Sequence, residues 1–350
     1  MAGGNATMTT PIAETGKRAE SVIQVKNLSV TFQIARNTVL RAVNNVSFDV
    51  ARGEIFGIIG ESGSGKSTVA RVLVGLLKPT EGDVRRGGED FTTLSRSDFA
   101  RRRRGYQMVF QDPAGALNPR MTVLQSVREP LDIDGALPRA ERERVAYDCL
   151  ERVRLGPDFA TRYPHELSGG QKQRVNIARV LTMQPDLVVC DEAVAALDVS
   201  TQAEIINLFV QLQRSLGLTY VFISHDLNVV AHVSHRIGVM YLGRLVEVGN
   251  ADTILASPMH PYTAALVRSQ PTPVPAALRP QRQPALTGEI PSPLAPPSGC
   301  HFRTRCPYAT ELCAAEQPPL REIEPGRFAA CHFAGQLRPS QNSICNHVNN

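Results

Sequence analysis

The chain has 350 residues, 42% of them hydrophobic and 20% charged, which is ordinary globular material for one large domain with an appendage. No window of about 18 consecutive apolar residues occurs, so no transmembrane helix is encoded and any membrane role runs through a partner. The net charge of +5 is modest for this length, and the one dense basic run, Arg101 to Arg104, reads as a solvated helix face rather than a phosphate-contacting patch. Residues 1–20 lack the apolar centre of a secretory signal and read as a loose tail.

In chain order, residues 22–25, 29–33 and 46–50 are short β-branched runs separated by turn residues, the pattern of antiparallel strands. Residues 55–59 are almost wholly apolar, as befits a strand buried on both faces, and a glycine-rich loop and a helix ending near Gly75 and Pro79 follow. Residues 90–184 are mostly helical in period and predict an inserted helical lobe. Three more apolar strands follow at 187–190, 219–224 and 236–241, the first two separated by an amphipathic stretch over 200–216. Prolines recur every few residues from 271 to 297, which forbids regular helix and marks a linker or arm. The expected division is thus a tail at 1–20, a main domain at 21–256, an arm at 257–298, a cysteine module at 299–335 and a second tail at 336–350.

Gly60-Glu61-Ser62-Gly63-Ser64-Gly65-Lys66-Ser67, followed by Thr68, fits the phosphate-binding P-loop and lies between the strand and the helix that this loop requires. Its glycines let backbone N–H groups turn toward a β-phosphate, Lys66 brings a charge to the β- and γ-phosphates, and the Ser67 hydroxyl can ligate Mg²⁺. The strand at 187–190 ends in Asp191 and Glu192, which suit a Mg²⁺ shell and a general base for attacking water. Leu167-Ser168-Gly169-Gly170-Gln171 contains a capping box that opens a helix, and its two glycines leave helix N–H groups open to an anion. It reads as a phosphate site lacking its own nucleotide, to be completed by a second subunit's P-loop.

With these motifs the chain resembles ABC ATPases over residues 22–256, a P-loop NTPase cassette with a mixed α/β sheet core, an antiparallel β-subdomain and a helical subdomain. The resemblance implies two cassettes packed head to tail with ATP between one P-loop and the other's Ser168–Gln171 motif. It also implies that Gln111 links the metal site to a transmembrane partner, that His225 contacts the γ-phosphate, that Asp198 joins the two sites across the dimer, and that Phe32 stacks on adenine. Two departures stand out: Ala195 where relatives carry a hydroxyl, and Ala114-Gly115-Ala116 where an aromatic is common. The segments 110–123, His260-Pro261-Tyr262-Thr263 and 288–293 resemble oligopeptide and dipeptide importer ATPases, and nickel importers share them. Such systems imply a second, paralogous ATPase, two permeases, an extracytoplasmic peptide-binding protein, no nucleic acid, and a place on the cytoplasmic face of the membrane. A soluble ABC ATPase acting on ribosomes or nucleic acid is the competing reading, and the single P-loop argues against it, since the ribosome-acting kinds fuse two cassettes.

Cys149 and Cys190 lie within apolar stretches and read as small buried hydrophobes. Cys300, Cys306, Cys313 and Cys331 crowd together near the end, which leans toward a metal rather than disulfides. Thiolates favour Zn²⁺ or an iron–sulfur cluster, and the absence of two-residue gaps tilts the balance toward iron. The family resemblance implies a [4Fe–4S] cluster, with Zn²⁺ as the alternative.

Overall fold

The computed structural model describes residues 20–36, 38–95, 98, 102–270 and 288–336. Most of the proline-rich run, 271–287, lies outside the described residues, as do most of the two tails.

Two sheets organise the chain. β1 (Ser21–Ala35) and β2 (Thr38–Ala51) pair antiparallel, and β4 (Glu81–Arg86) and β5 (Glu89–Asp90) complete a sheet of order β2-β1-β4-β5. The first two runs expected in the sequence merge into β1, while Val46, Phe48 and Val50 bury alternate positions of β2, as a sheet with one covered face requires. The second sheet is mixed. Its parallel part joins β3 (Ile55–Ile59), β6 (Tyr106–Val109), β7 (Leu187–Asp191), β8 (Thr219–Ile223) and β9 (Arg236–Tyr241), and every residue of β3, β7 and β8 is buried because helices cover one face while the helix Lys66–Leu73 and the antiparallel sheet cover the other.

Four strands of the second sheet were not legible in the sequence, and neither were β4 and β5 of the first. β6 sits inside the segment read as a helical lobe, and β10 (Arg244–Asn250) pairs antiparallel with β9. β11 (Arg321–Glu324) and β12 (Arg327–Ala329) form a hairpin from the cysteine module that continues the main sheet, with Val248 opposite Phe328. The order is β11-β12-β10-β9-β3-β8-β7-β6. The seam at β10 is held by Glu247, which is wholly buried and accepts from the Met259 and His260 N–H groups at 2.9 Å and from Arg327 Nη2 at 3.4 Å. Those charge-assisted bonds offset the cost of burying its carboxylate.

The helical lobe comprises Val123–Asp134, Arg139–Arg152 and Gly169–Leu181. Cys149 and Cys190 are buried as expected, and burial pushes the Cys149 thiol up to about 11. In the basic run, Arg102 pairs with Glu89 and Arg104 with Asp134.

Candidate active site

The parallel strands β3, β7 and β8 end on the same side of the sheet, and the loops that follow them converge there. After β3 the chain enters the P-loop and then the helix Lys66–Leu73, whose N-terminus has no side-chain cap, so its N–H groups stay free for an anion. Gly65 cannot be replaced: it lies at φ +101°, and a Cβ there would collide with the Ala42 carbonyl. Lys66 is buried, with its ammonium donating to the Gly60 carbonyl at 2.7 Å and the Glu61 carbonyl at 2.9 Å. Burial lowers its pKa, while Glu192, Asp191 and Glu61 oppose the shift.

Asp191 ends β7, and its Oδ1 accepts from the Ser67 hydroxyl at 3.0 Å. Burial raises the Asp191 carboxyl above its usual range, and the Ser67 hydrogen bond opposes that. A divalent cation would favour the ionised form in the same way, so this hydroxyl and carboxylate suit Mg²⁺. Glu192 follows at φ +49°, a left-handed backbone uncommon for a residue with a side chain and held here by its N–H donating to the Ile223 carbonyl at 2.9 Å. Its carboxylate accepts from Gln111 Nε2 at 2.8 Å and stands 3.3 Å from His225 Nδ1. Two residues from two separate loops thus converge on the Glu192 carboxylate.

The Ser168–Gln171 motif makes the expected capping box: Gln171 N–H donates to Ser168 Oγ at 3.3 Å, and Ser168 N–H donates to Gln171 Oε1 at 2.9 Å. A Cβ on Gly170 would strike the Thr201 side chain, so the motif fits closely against the helix Val199–Leu216 that Asp198 caps. Asp198 accepts from Thr201 N–H at 3.0 Å and from Ser200 Oγ at 2.6 Å, and these bonds hold its carboxyl well below the usual range. Val199 beside it is 83% exposed. Among the described residues, no hydrogen bond links Ser168–Gln171 to the P-loop. Phe32 is half-buried against the core of the antiparallel sheet.

The helix Gly169–Leu181 also grips the Gln111 loop, a role not visible in the sequence. Asn176 Nδ2 donates to the Pro113 carbonyl at 3.0 Å and Arg179 to the Ala116 carbonyl at 2.9 Å, while Gln173 donates to the Ala193 carbonyl at 2.6 Å. Beside that loop lies a groove of about 580 Å³, lined by Arg104, Phe110, Ile133, Arg179 and Met183. Phe110 and Ile133 on its wall are 47% and 79% exposed.

The cysteine module is more compact than its spacing suggests. Cys300, Cys306, Cys313 and Cys331 are free thiols that line one small cavity with Phe302 and His332. Burial raises the Cys300 and Cys331 thiols and pushes Cys306 up to about 11. Among the described residues, no three His, Cys, Asp or Glu side chains stand close enough to hold a metal ion, so the expected centre has no direct support.

A family model described as "ABC transporter" matches residues 43–195, and one described as "Oligopeptide/dipeptide transporter, C-terminal region" matches residues 246–313. The chain is 50% identical over 310 residues to a putative peptide import ATP-binding protein of Brucella ovis, covering 89% of this chain and 97% of that one. It is 44% identical over 326 residues to the oligopeptide transport ATP-binding protein AppF of Bacillus subtilis, covering 91% and 99%. Among solved structures it is similar to the dimeric ATP-binding cassette MJ0796 bound to ADP and phosphate, with a TM-score of 0.60 and 34% identity over 65% of this chain and 98% of that one. It is also similar to cbiO1 of Clostridium perfringens, with a TM-score of 0.62 and 30% identity over 68% and 91%.

The fold and the P-loop are those of an ABC ATPase cassette. The chain belongs to the ABC transporter family, among the ATP-binding proteins that carry the oligopeptide/dipeptide C-terminal region. No helix among the described residues is long and apolar enough to cross a membrane.

Proposed function

We propose that this chain hydrolyses ATP to power uptake of oligopeptides or dipeptides through partner permeases. The observation that carries the reading is the convergence of Gln111 and His225 on the Glu192 carboxylate, one residue beyond the Ser67–Asp191 pair. Glu192 orients and deprotonates the attacking water, His225 stands ready to contact the γ-phosphate, and Lys66 with the loop N–H groups holds the triphosphate. Ser67 and Asp191, with Gln111 nearby, would hold Mg²⁺, which would supply charge neutralisation for the bound phosphates.

Among the described residues no phosphate loop is bonded to the exposed Ser168–Gln171 helix end, which supports a head-to-tail pair with a second cassette, a paralogous ATPase. The groove beside Phe110 suits a cytoplasmic segment of a permease, because whatever docks there lies one residue from Gln111. The complex would place this chain on the cytoplasmic face of the membrane, with a binding protein delivering the peptide outside. The alternative action on ribosomes or nucleic acid gains nothing from the relatives, which are named for peptide transport.

For the cysteine module, the four thiols around one cavity support a soft centre. The sequence spacing of the thiols, which lacks the two-residue gaps of structural zinc ribbons, favours [4Fe–4S] over Zn²⁺ as that centre. Iron, sulfide and zinc assays on anaerobically purified protein test this, and one zinc per chain in a colourless protein refutes the iron.

The function is tested by affinity purification and uptake. Two polytopic membrane proteins and a second ATPase should co-purify with the chain, and deleting it should abolish uptake of labelled peptides. RNase-sensitive sedimentation with ribosomes would overturn the reading. Turnover should also rise with protein concentration, and full activity in dilute monomer would remove the second cassette.

A further inference from the structure

The P-loop holds one side chain that phosphate chemistry does not use. Backbone N–H groups, Lys66 and Ser67 suffice to cradle a triphosphate, yet the loop's second residue is Glu61, a carboxylate beside the place where several negative charges must bind. Left alone, it would repel the ligand.

Glu61 is not alone. Arg305, 244 residues away in the turn between Cys300 and Cys306, donates from Nη1 to Glu61 Oε2 at 2.8 Å and from Nη2 to Oε1 at 3.0 Å. This is the two-pronged geometry of guanidinium on carboxylate, in a place where the arginine side chain is only 5% exposed. Arg305 Nη1 also reaches the Tyr241 hydroxyl at 3.4 Å. The other groups of Glu61 are held as well: its N–H donates to the Tyr262 hydroxyl at 2.9 Å, and its carbonyl accepts from the Lys66 ammonium at 2.9 Å. Beneath them Tyr241, Tyr262 and Phe302 pack into one aromatic wedge, with ring centroids 4.6 to 5.5 Å apart. Phe302 lies in the same turn as Arg305, whose N–H donates to the Phe302 carbonyl at 3.0 Å. The wedge therefore sets where the guanidinium stands.

We propose that Arg305 is a positioning residue of the nucleotide site: by pairing with Glu61 it cancels the P-loop's own negative charge and pins the loop segment that holds Lys66. The cysteine module thereby becomes part of the ATP-binding apparatus. The proposal rests on the reading of the P-loop as the ATP site. Its effect falls on ATP affinity rather than on the chemical step, because among the described residues no hydrogen bond or ion pair joins Arg305 to Glu192, Gln111 or His225.

The test is ATP titration of the full-length chain by calorimetry, with KM and kcat measured in the purified transporter complex. Arg305→Gln should weaken ATP binding roughly 10- to 100-fold, the scale of a lost charge-assisted bond, and raise KM in step with little change in kcat. Adding Glu61→Gln should recover most of that loss, since no uncancelled carboxylate remains. Arg305→Lys, which keeps the charge and loses the fork, should weaken binding by about 5-fold, and it carries the comparison if the glutamine variant fails to fold. A purely structural arginine would lower the melting temperature and the active fraction, hence kcat, without moving KM and without rescue by Glu61→Gln. Unchanged ATP affinity in the Arg305 variants, or a loss that Glu61→Gln does not relieve, overturns the proposal. A wild-type chain that binds no ATP overturns the site assignment instead.

Discussion

The P-loop and the cysteine module lie against the same aromatic wedge but are built on opposite plans. The P-loop is eight consecutive residues whose backbone does the work, so its chemistry is local and its strand and helix follow in order. The module draws thiols from positions spread over residues 300–331, and its hairpin reaches its place only by pairing with β10. A local motif carries its reaction with it. A dispersed module acquires a role only through what it touches, here Glu61 through Arg305 and β10 through Arg327. Damage to the P-loop's catalytic neighbours should therefore impair chemistry and spare stability, whereas damage to the module should impair stability and ATP binding together.

The largest effect expected is that of Glu192→Gln. Turnover should fall by about 10²- to 10⁴-fold, the usual cost of losing a general base, while ATP affinity and the unfolding midpoint stay near wild type. Gln preserves the side-chain shape at the strained φ of +49°. Turnover measured beside ATP titration checks it, and near-normal turnover would remove Glu192 from its role.

Phe302→Ala tests the opposite pole. The ring is 1% exposed at the centre of the wedge, so its loss should cost about 3–5 kcal/mol in denaturant unfolding. Because Arg305 loses its support, ATP affinity should fall in the same variant while kcat at saturating ATP changes little. A chain that loses stability yet binds ATP normally would show the module to be merely attached.

Tyr262→Phe sharpens the boundary between the two regions. The phenyl ring still fills the buried site, and only the hydroxyl that accepts from the Glu61 N–H is removed. Stability should drop by about 1 kcal/mol, with ATP affinity weakened by no more than about 5-fold. A larger shift in affinity than Arg305→Gln produces would place control of Glu61 with the helix Pro261–Ser269 rather than with the cysteine turn.

What was legible in the sequence follows from range. The strand at 55–59, the P-loop, the Asp191-Glu192 pair and the capping box at Ser168 each rest on contiguous residues whose φ/ψ demands, hydrophobic period or hydrogen bonds are local, and each has its structural counterpart. β6 stayed hidden because Tyr106–Val109 is four residues long amid helical period and becomes a strand only through its parallel partner β7. β12 is three residues long and exists because β10 offers an edge. The tyrosine and arginine around Glu61 lay in stretches already singled out, His260-Pro261-Tyr262-Thr263 and the Cys300 to Cys306 turn, but nothing in their spacing points to a loop two hundred residues upstream. Local backbone geometry and periodicity determined the nucleotide-binding parts from sequence alone. Which distant side chain neutralises Glu61, which helix grips the Gln111 loop and where the four thiols meet were decided by tertiary packing, because those contacts depend on positions that no short-range preference encodes.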